Sequence, residues 1–149
     1  MPHKALASLT ALVAVIVGAT EPTDADRALA RKSFLTVQAF ECSVLAQGAN
    51  DLVAAERLFR FGYDEGLAWL EAAEAGELHE ELRDDAPLGL LMLLGGPSHD
   101  FRLGRIYGYA TDQVYENVYD GEPSHQTSAK HEYHRRNCDL LRPTEIPPR

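Results

Sequence analysis

The 149-residue chain carries 23 acidic and 14 basic residues, a net charge of −9, and 45% of its residues are hydrophobic. That acidic balance excludes the counterion-releasing phosphate contacts of a nucleic-acid binder and disfavours attraction to anionic lipid. Length and apolar content suit one domain with a real core.

The chain opens "MPHKALASLTALVAVIVGAT", with Lys4 followed by a stretch without charge over 5–18 and small residues at Val17, Gly18 and Ala19. A short basic head, an apolar middle and a small-residue cut describe a secretory signal peptide over 1–19. The apolar run is shorter than the roughly 20 residues of a spanning helix, so a retained anchor is disfavoured. Cleavage places the mature chain in the periplasm or outside the cell, with no membrane attachment. It also removes Lys4, leaving 13 basic against 23 acidic residues.

The mature chain reads as one helical domain over 20–141, followed by the Pro-rich tail "RPTEIPPR", whose residues 142–149 are expected to be disordered. The first helix is predicted over 24–47, capped by Thr23 or Asp24 and ended by Gly48, with Phe34, Val37, Glu41, Val44 and Leu45 at helical spacing. The second is predicted to start after Asn50 or Asp51 and run to Ala75, where Gly76 stops it. The polar segment 77–85 reads as a helical turn. Residues 87–94, "PLGLLMLL", suit a short buried helix opened by Pro87, with a buried strand as the competing assignment. Ser98 caps a helix over 98–119, and a last helix is predicted over 128–141. No segment alternates with the period of a strand, so the expected fold is an all-α bundle of four to five helices.

Cys42 and Cys138 are the only cysteines. In an exported protein an even count favours a disulfide. Closing a loop of roughly 100 residues is worth about 4–5 kcal/mol on the chain-entropy argument. With no CxxC motif, a disulfide oxidoreductase is not supported.

Two predicted helices each carry a glycine pair, Gly62 with Gly66 and Gly104 with Gly108. A glycine inside a helix costs about 1 kcal/mol relative to alanine. Ala55, Phe59, Gly62, Gly66, Trp69 and Ala73 share one helix face, and Phe101, Gly104, Gly108, Thr111, Tyr115 and Val118 share another. The spacing predicts that both pairs meet at one close helix crossing, flanked by aromatic side chains. A kink and a close ligand approach are the other readings of such glycines. Asp64 or Glu65 is placed to pair with Arg105 across that crossing; ordinary solvation of all three is the alternative.

Chemistry-bearing motifs are sparse. His131 and His134 share a helix face, and His125 or Glu132 is a conceivable third metal ligand. The plainer reading is a polar helix whose C-terminal half suits basic residues. The stretch "LGGPSHD" at 94–100 reads as a helix start rather than an anion cradle, since it lacks a lysine and adds Asp100. No serine, threonine or cysteine lies in a nucleophile motif, and no cofactor is expected.

The combination of an export signal, a helical Cys42, the "GYDEG" stretch with Gly62, Tyr63 and Gly66, and a late Cys138 resembles small exported bacterial helical proteins of unassigned function. It is also similar to periplasmic immunity proteins of type VI secretion. That resemblance implies a small, disulfide-bonded, all-α protein that binds and neutralises a toxic effector. Cys42 lies well upstream of the Gly62-Tyr63 step, and the "GGPSHDF" turn departs from the pattern, so no functional residue is carried over. The expectation is a non-enzymatic, exported interaction protein that binds a protein partner or itself through aromatic-rich faces such as Phe61, Tyr63, Tyr107 and Tyr109. An immunity protein and a periplasmic metal-binding protein are the alternatives.

Overall fold

The computed structural model describes residues 21–119 and 124–142. Residues 1–19, the predicted signal peptide, and all but the first residue of the predicted 142–149 tail lie outside the described residues. Among the described residues the fold is all-helical, with no strand. Six α-helices form: α1 Asp24–Gly48, α2 Leu52–Ala75, α3 Glu80–Arg83, α4 Leu88–Met92, α5 His99–Val114 and α6 His125–Arg135. A π-helical turn, Tyr115–Tyr119, extends α5, and a 3-10 turn, Cys138–Leu140, follows α6. No helix among them is long and apolar enough to cross a membrane.

Local chemistry accounts for the boundaries. Thr23 and Asp26 form a reciprocal capping box at the start of α1. Asn50 takes a left-handed conformation at φ 65°, and the Asp51 carboxylate accepts from the Ala54 N–H at 3.0 Å, so the chain reverses within a few residues. Gly76, at φ 72°, ends α2 as predicted. The 87–94 segment is helical, with Pro87 as the residue before the first turn rather than in it.

The predicted last helix is split. Asn137 at φ 53° stops α6 two residues beyond Arg135, and the chain re-enters as the 3-10 turn that carries Cys138. A left-handed asparagine cannot continue an α-helix.

α1 and α2 form a long antiparallel hairpin. Of the apolar residues placed at helical spacing on α1, Val44 and Leu45 are buried and Phe34 is exposed, and Ala30, Ser33, Thr36, Ala39 and Ser43 are buried as well. Small residues at spacings of three and four let the two backbones approach. The Ser33 hydroxyl bonds back to the Ala30 carbonyl (2.8 Å), and the Ser43 hydroxyl crosses to the Ala55 carbonyl (2.8 Å), so neither buried hydroxyl is left unpaired.

α5 lies across this hairpin with Leu103, Ile106, Ala110 and Val114 inward. These residues join two core clusters. One gathers Phe40, Trp69, Leu70 and Leu90 around α5. The other gathers Leu45, Leu58, Tyr119, Ala129 and Tyr133 around the Cys42–Cys138 disulfide, whose Cα atoms are 5.6 Å apart. The predicted disulfide-tied bundle is therefore the observed fold, with the bridge tying the 3-10 turn after α6 to the C-terminal third of α1.

Candidate functional site

The glycine pairs have opposite surroundings. A Cβ built on Gly66 would lie 2.5 Å from Leu103 Cδ2 and 2.8 Å from Thr36 Cγ2, and one on Gly62 would lie 2.9 Å from Phe40 Cδ1. Both are tighter than real side chains permit, so Gly62 and Gly66 do mark a close helix contact. Gly62 meets α1, and Gly66 meets both α1 and Leu103 of α5, but neither meets the glycines of α5. A Cβ on Gly104 or Gly108 would meet nothing within 4 Å, and both residues are exposed. The expected crossing of all four glycines is thus corrected: α5 buries the Leu103–Ile106–Ala110 stripe, about a quarter-turn or more away from its glycines, because larger apolar groups gain more from burial.

Of the two readings of Arg105, an ion pair across the crossing or ordinary solvation, the ion pair does not form, for the same reason. Glu65 pairs with Lys32 of α1 at 2.7 Å, beside Gly66. Asp64 is exposed, and Arg105 donates to the Gly95 carbonyl at 2.8 Å while covering the Phe101 ring. Arg102 likewise donates to the Gly96 carbonyl and to Glu74. The glycine pair before α5 therefore offers carbonyls to arginines, and Ser98 accepts from the Phe101 N–H as the helix-start reading predicts.

Of the four aromatic residues expected on an outer face, Phe61 is buried and Tyr109 packs against Gly89, where a Cβ would approach its ring to 2.3 Å. Tyr63 and Tyr107 are half-buried. They flank Phe59, whose ring centroid is 5.1 Å from Tyr107 and 6.5 Å from Tyr63. The Tyr63 hydroxyl donates to Asp100, joining α2 to the start of α5.

What remains outward on α5 is a continuous strip. Phe101 (49% exposed) and Tyr115 (53% exposed) stand at its ends, with Gly104 and Gly108 bare between them. Those two glycines weaken α5 by about 1 kcal/mol each, and no contact within the described chain uses the space they leave.

The histidines do not converge. His125 stacks on the Tyr119 ring at 4.8 Å, His131 is exposed along α6, and His134 Nδ1 lies 3.9 Å from an Asp139 carboxylate oxygen. Among the described residues no three His, Cys, Asp or Glu side chains gather as a ligand set.

The charged groups that do gather are at the α1–α6 contact. Glu132, 8% exposed, accepts from Arg135 (2.6 Å) and from Arg136 (2.5 Å), and Arg136 also donates to Glu41 of α1. The Arg135 hydrogen bonds, reinforced by those of Arg136, hold the Glu132 carboxyl down at about 2. Burial instead pushes Glu41 upward, outweighing the Arg136 charge beside it. Sequence reading missed this cluster, although Glu132, Arg135 and Arg136 at helical spacing were its visible part. Comparison of the chain with known protein families, with curated proteins and with solved structures finds no match.

Proposed function

We propose that this protein is a non-enzymatic interaction protein, exported to the periplasm and held together there by its disulfide, which binds a helical segment of a protein partner along the outer strip of α5. The observation that carries the reading is the bare Gly104–Gly108 step between exposed Phe101 and Tyr115. Side-chain-free steps admit a second helix at the short end of the usual 8–10 Å separation, and aromatic ends supply contact area at low conformational cost. The acidic balance of the chain favours a basic partner and fast electrostatic encounter.

The test is affinity capture from periplasmic extract with the parent protein and with a Gly104→Leu, Gly108→Leu double variant. Both positions face open space, so the variant folds at least as stably as the parent. The expected result is a co-eluting protein with the parent that is absent with the variant. Equal recovery by both, or no specific protein with either, overturns the proposal. Light scattering on the purified protein separates a second copy of the chain from a foreign partner.

A further inference from the structure

A cleft of about 340 Å3 opens where the end of α1, the last turns of α5 and the start of α6 meet. Among the described residues eight line it, and none of those eight is Asp, Glu, Lys or Arg. Tyr107, Tyr115, Tyr119 and His125 make it aromatic. Two of those tyrosines come from the π-helical turn Tyr115–Tyr119, a distortion of the helix ladder that recurs at functional sites. Their rings meet edge to face at 5.0 Å, and His125 stacks on Tyr119.

The floor is unusual in its polarity. Tyr119 reaches so close to α1 that a Cβ on Gly48 would lie 2.1 Å from its hydroxyl, and that buried hydroxyl has no hydrogen-bond partner among the described residues. At the rim the polar groups are in order. Gln47 Nε2 donates to the Tyr107 hydroxyl at 2.7 Å. This leaves the Tyr107 O–H as a donor and the Gln47 side-chain carbonyl as an acceptor, side by side.

We propose that this cleft binds a small, uncharged, planar ring bearing a cyclic amide edge, of the kind a free nucleobase carries. The ring stacks on Tyr115. Its carbonyl accepts from the Tyr107 hydroxyl, and its neighbouring N–H donates to the Gln47 carbonyl. The described lining carries no Lys or Arg to meet a phosphate or carboxylate, so an anionic ligand loses solvation against these residues without compensation from them. The volume lies at the small end of ligand sites, room for one or two rings.

Uracil is the probe, titrated into the protein by calorimetry and followed by backbone amide shifts. The expected result is saturable binding with shifts concentrated at Gln47, Gly48, Tyr107 and Tyr115. Tyr115→Ala and Gln47→Leu, both at exposed positions, each weaken it about tenfold with the melting curve unchanged. Phenol, a flat ring without the amide edge, binds about tenfold more weakly than uracil. Gly104→Leu, outside the cleft, leaves uracil binding intact, which separates this site from the protein-binding strip although Tyr115 borders both. No saturation at millimolar uracil, binding indifferent to both variants, or phenol binding as tightly as uracil would each overturn the proposal.

Discussion

Glycine in this protein acts through what its missing side chain touches. Gly66 and Gly108 have the same residue type, the same helical context and the same intrinsic penalty, yet they should respond in opposite directions to a methyl group. Gly66→Ala drives a Cβ into Leu103 and Thr36, both fully enclosed. Overpacking of that kind costs about 1–3 kcal/mol, more than the helix propensity returns. Gly108→Ala meets open space, so propensity acts alone and the fold should gain about 1 kcal/mol. Urea unfolding of the two variants checks the pair; equal signs would mean that α2 and α5 are misplaced relative to α1. Gly48→Ala should lie with Gly66→Ala, because Tyr119 already occupies the space its methyl needs.

Among the elements, α6 is the most dependent on charge. Its buried apolar contribution is confined to Ala129 and Tyr133, and Glu132 with Arg136 does much of the fastening to α1. Glu132 ionises in the fold at about 2, well below the ordinary 4.5. A depressed carboxyl stabilises the folded state fully above 4.5, and that contribution disappears as pH falls from 4.5 toward 2. Glu41 works in the other direction, since its raised pKa makes protonation in the fold favourable as pH falls. Glu41 completes its proton uptake by about pH 4.5, so its stabilising response falls between its raised value and 4.5, and the decline in melting temperature below 4.5 should follow Glu132. Glu132→Gln should cost about 1–3 kcal/mol at pH 7, by removing charge-assisted bonds from a nearly buried group. The same substitution should flatten the acid limb of the melting curve. A profile identical to the parent would remove Glu132 from the fastening.

The whole molecule is a hairpin, α1 with α2, to which α5 and α6 are attached by different means. α5 docks by apolar burial, α6 by the ion cluster and the Cys42–Cys138 bond. The bridge spans a sequence separation of 96, so reduction releases most of the described chain from one constraint. Chain entropy puts the loss at about 4–5 kcal/mol as an upper figure. The Cys42→Ser, Cys138→Ser double variant should fall by about 2–5 kcal/mol in urea unfolding. Amide exchange should rise first in α6, whose remaining attachments are few. Uniform acceleration across all helices would show instead that the bridge stabilises the bundle only globally.

Helix identity, most boundaries and the disulfide were legible in the sequence because each is set by local chemistry. Thr23, Asp51, Gly76 and Ser98 cap or stop helices through groups a few residues away, and two cysteines leave one pairing. Which faces meet was not legible. The two glycine series look alike along the chain, but what makes Gly62 and Gly66 tight is Phe40, Ala39 and Thr36 of α1 together with Leu103 of α5, all distant in sequence. Ala30, Ser33, Thr36, Ala39 and Ser43 are small or polar, so hydrophobic spacing does not single them out, although all five are buried. The π-helical turn was invisible in the same way, and with it the tyrosine cleft it helps to line. A register shift in the helix ladder is decided by packing around Tyr119, Gly48 and Ala129, groups that come together only once α1, α5 and α6 are in place.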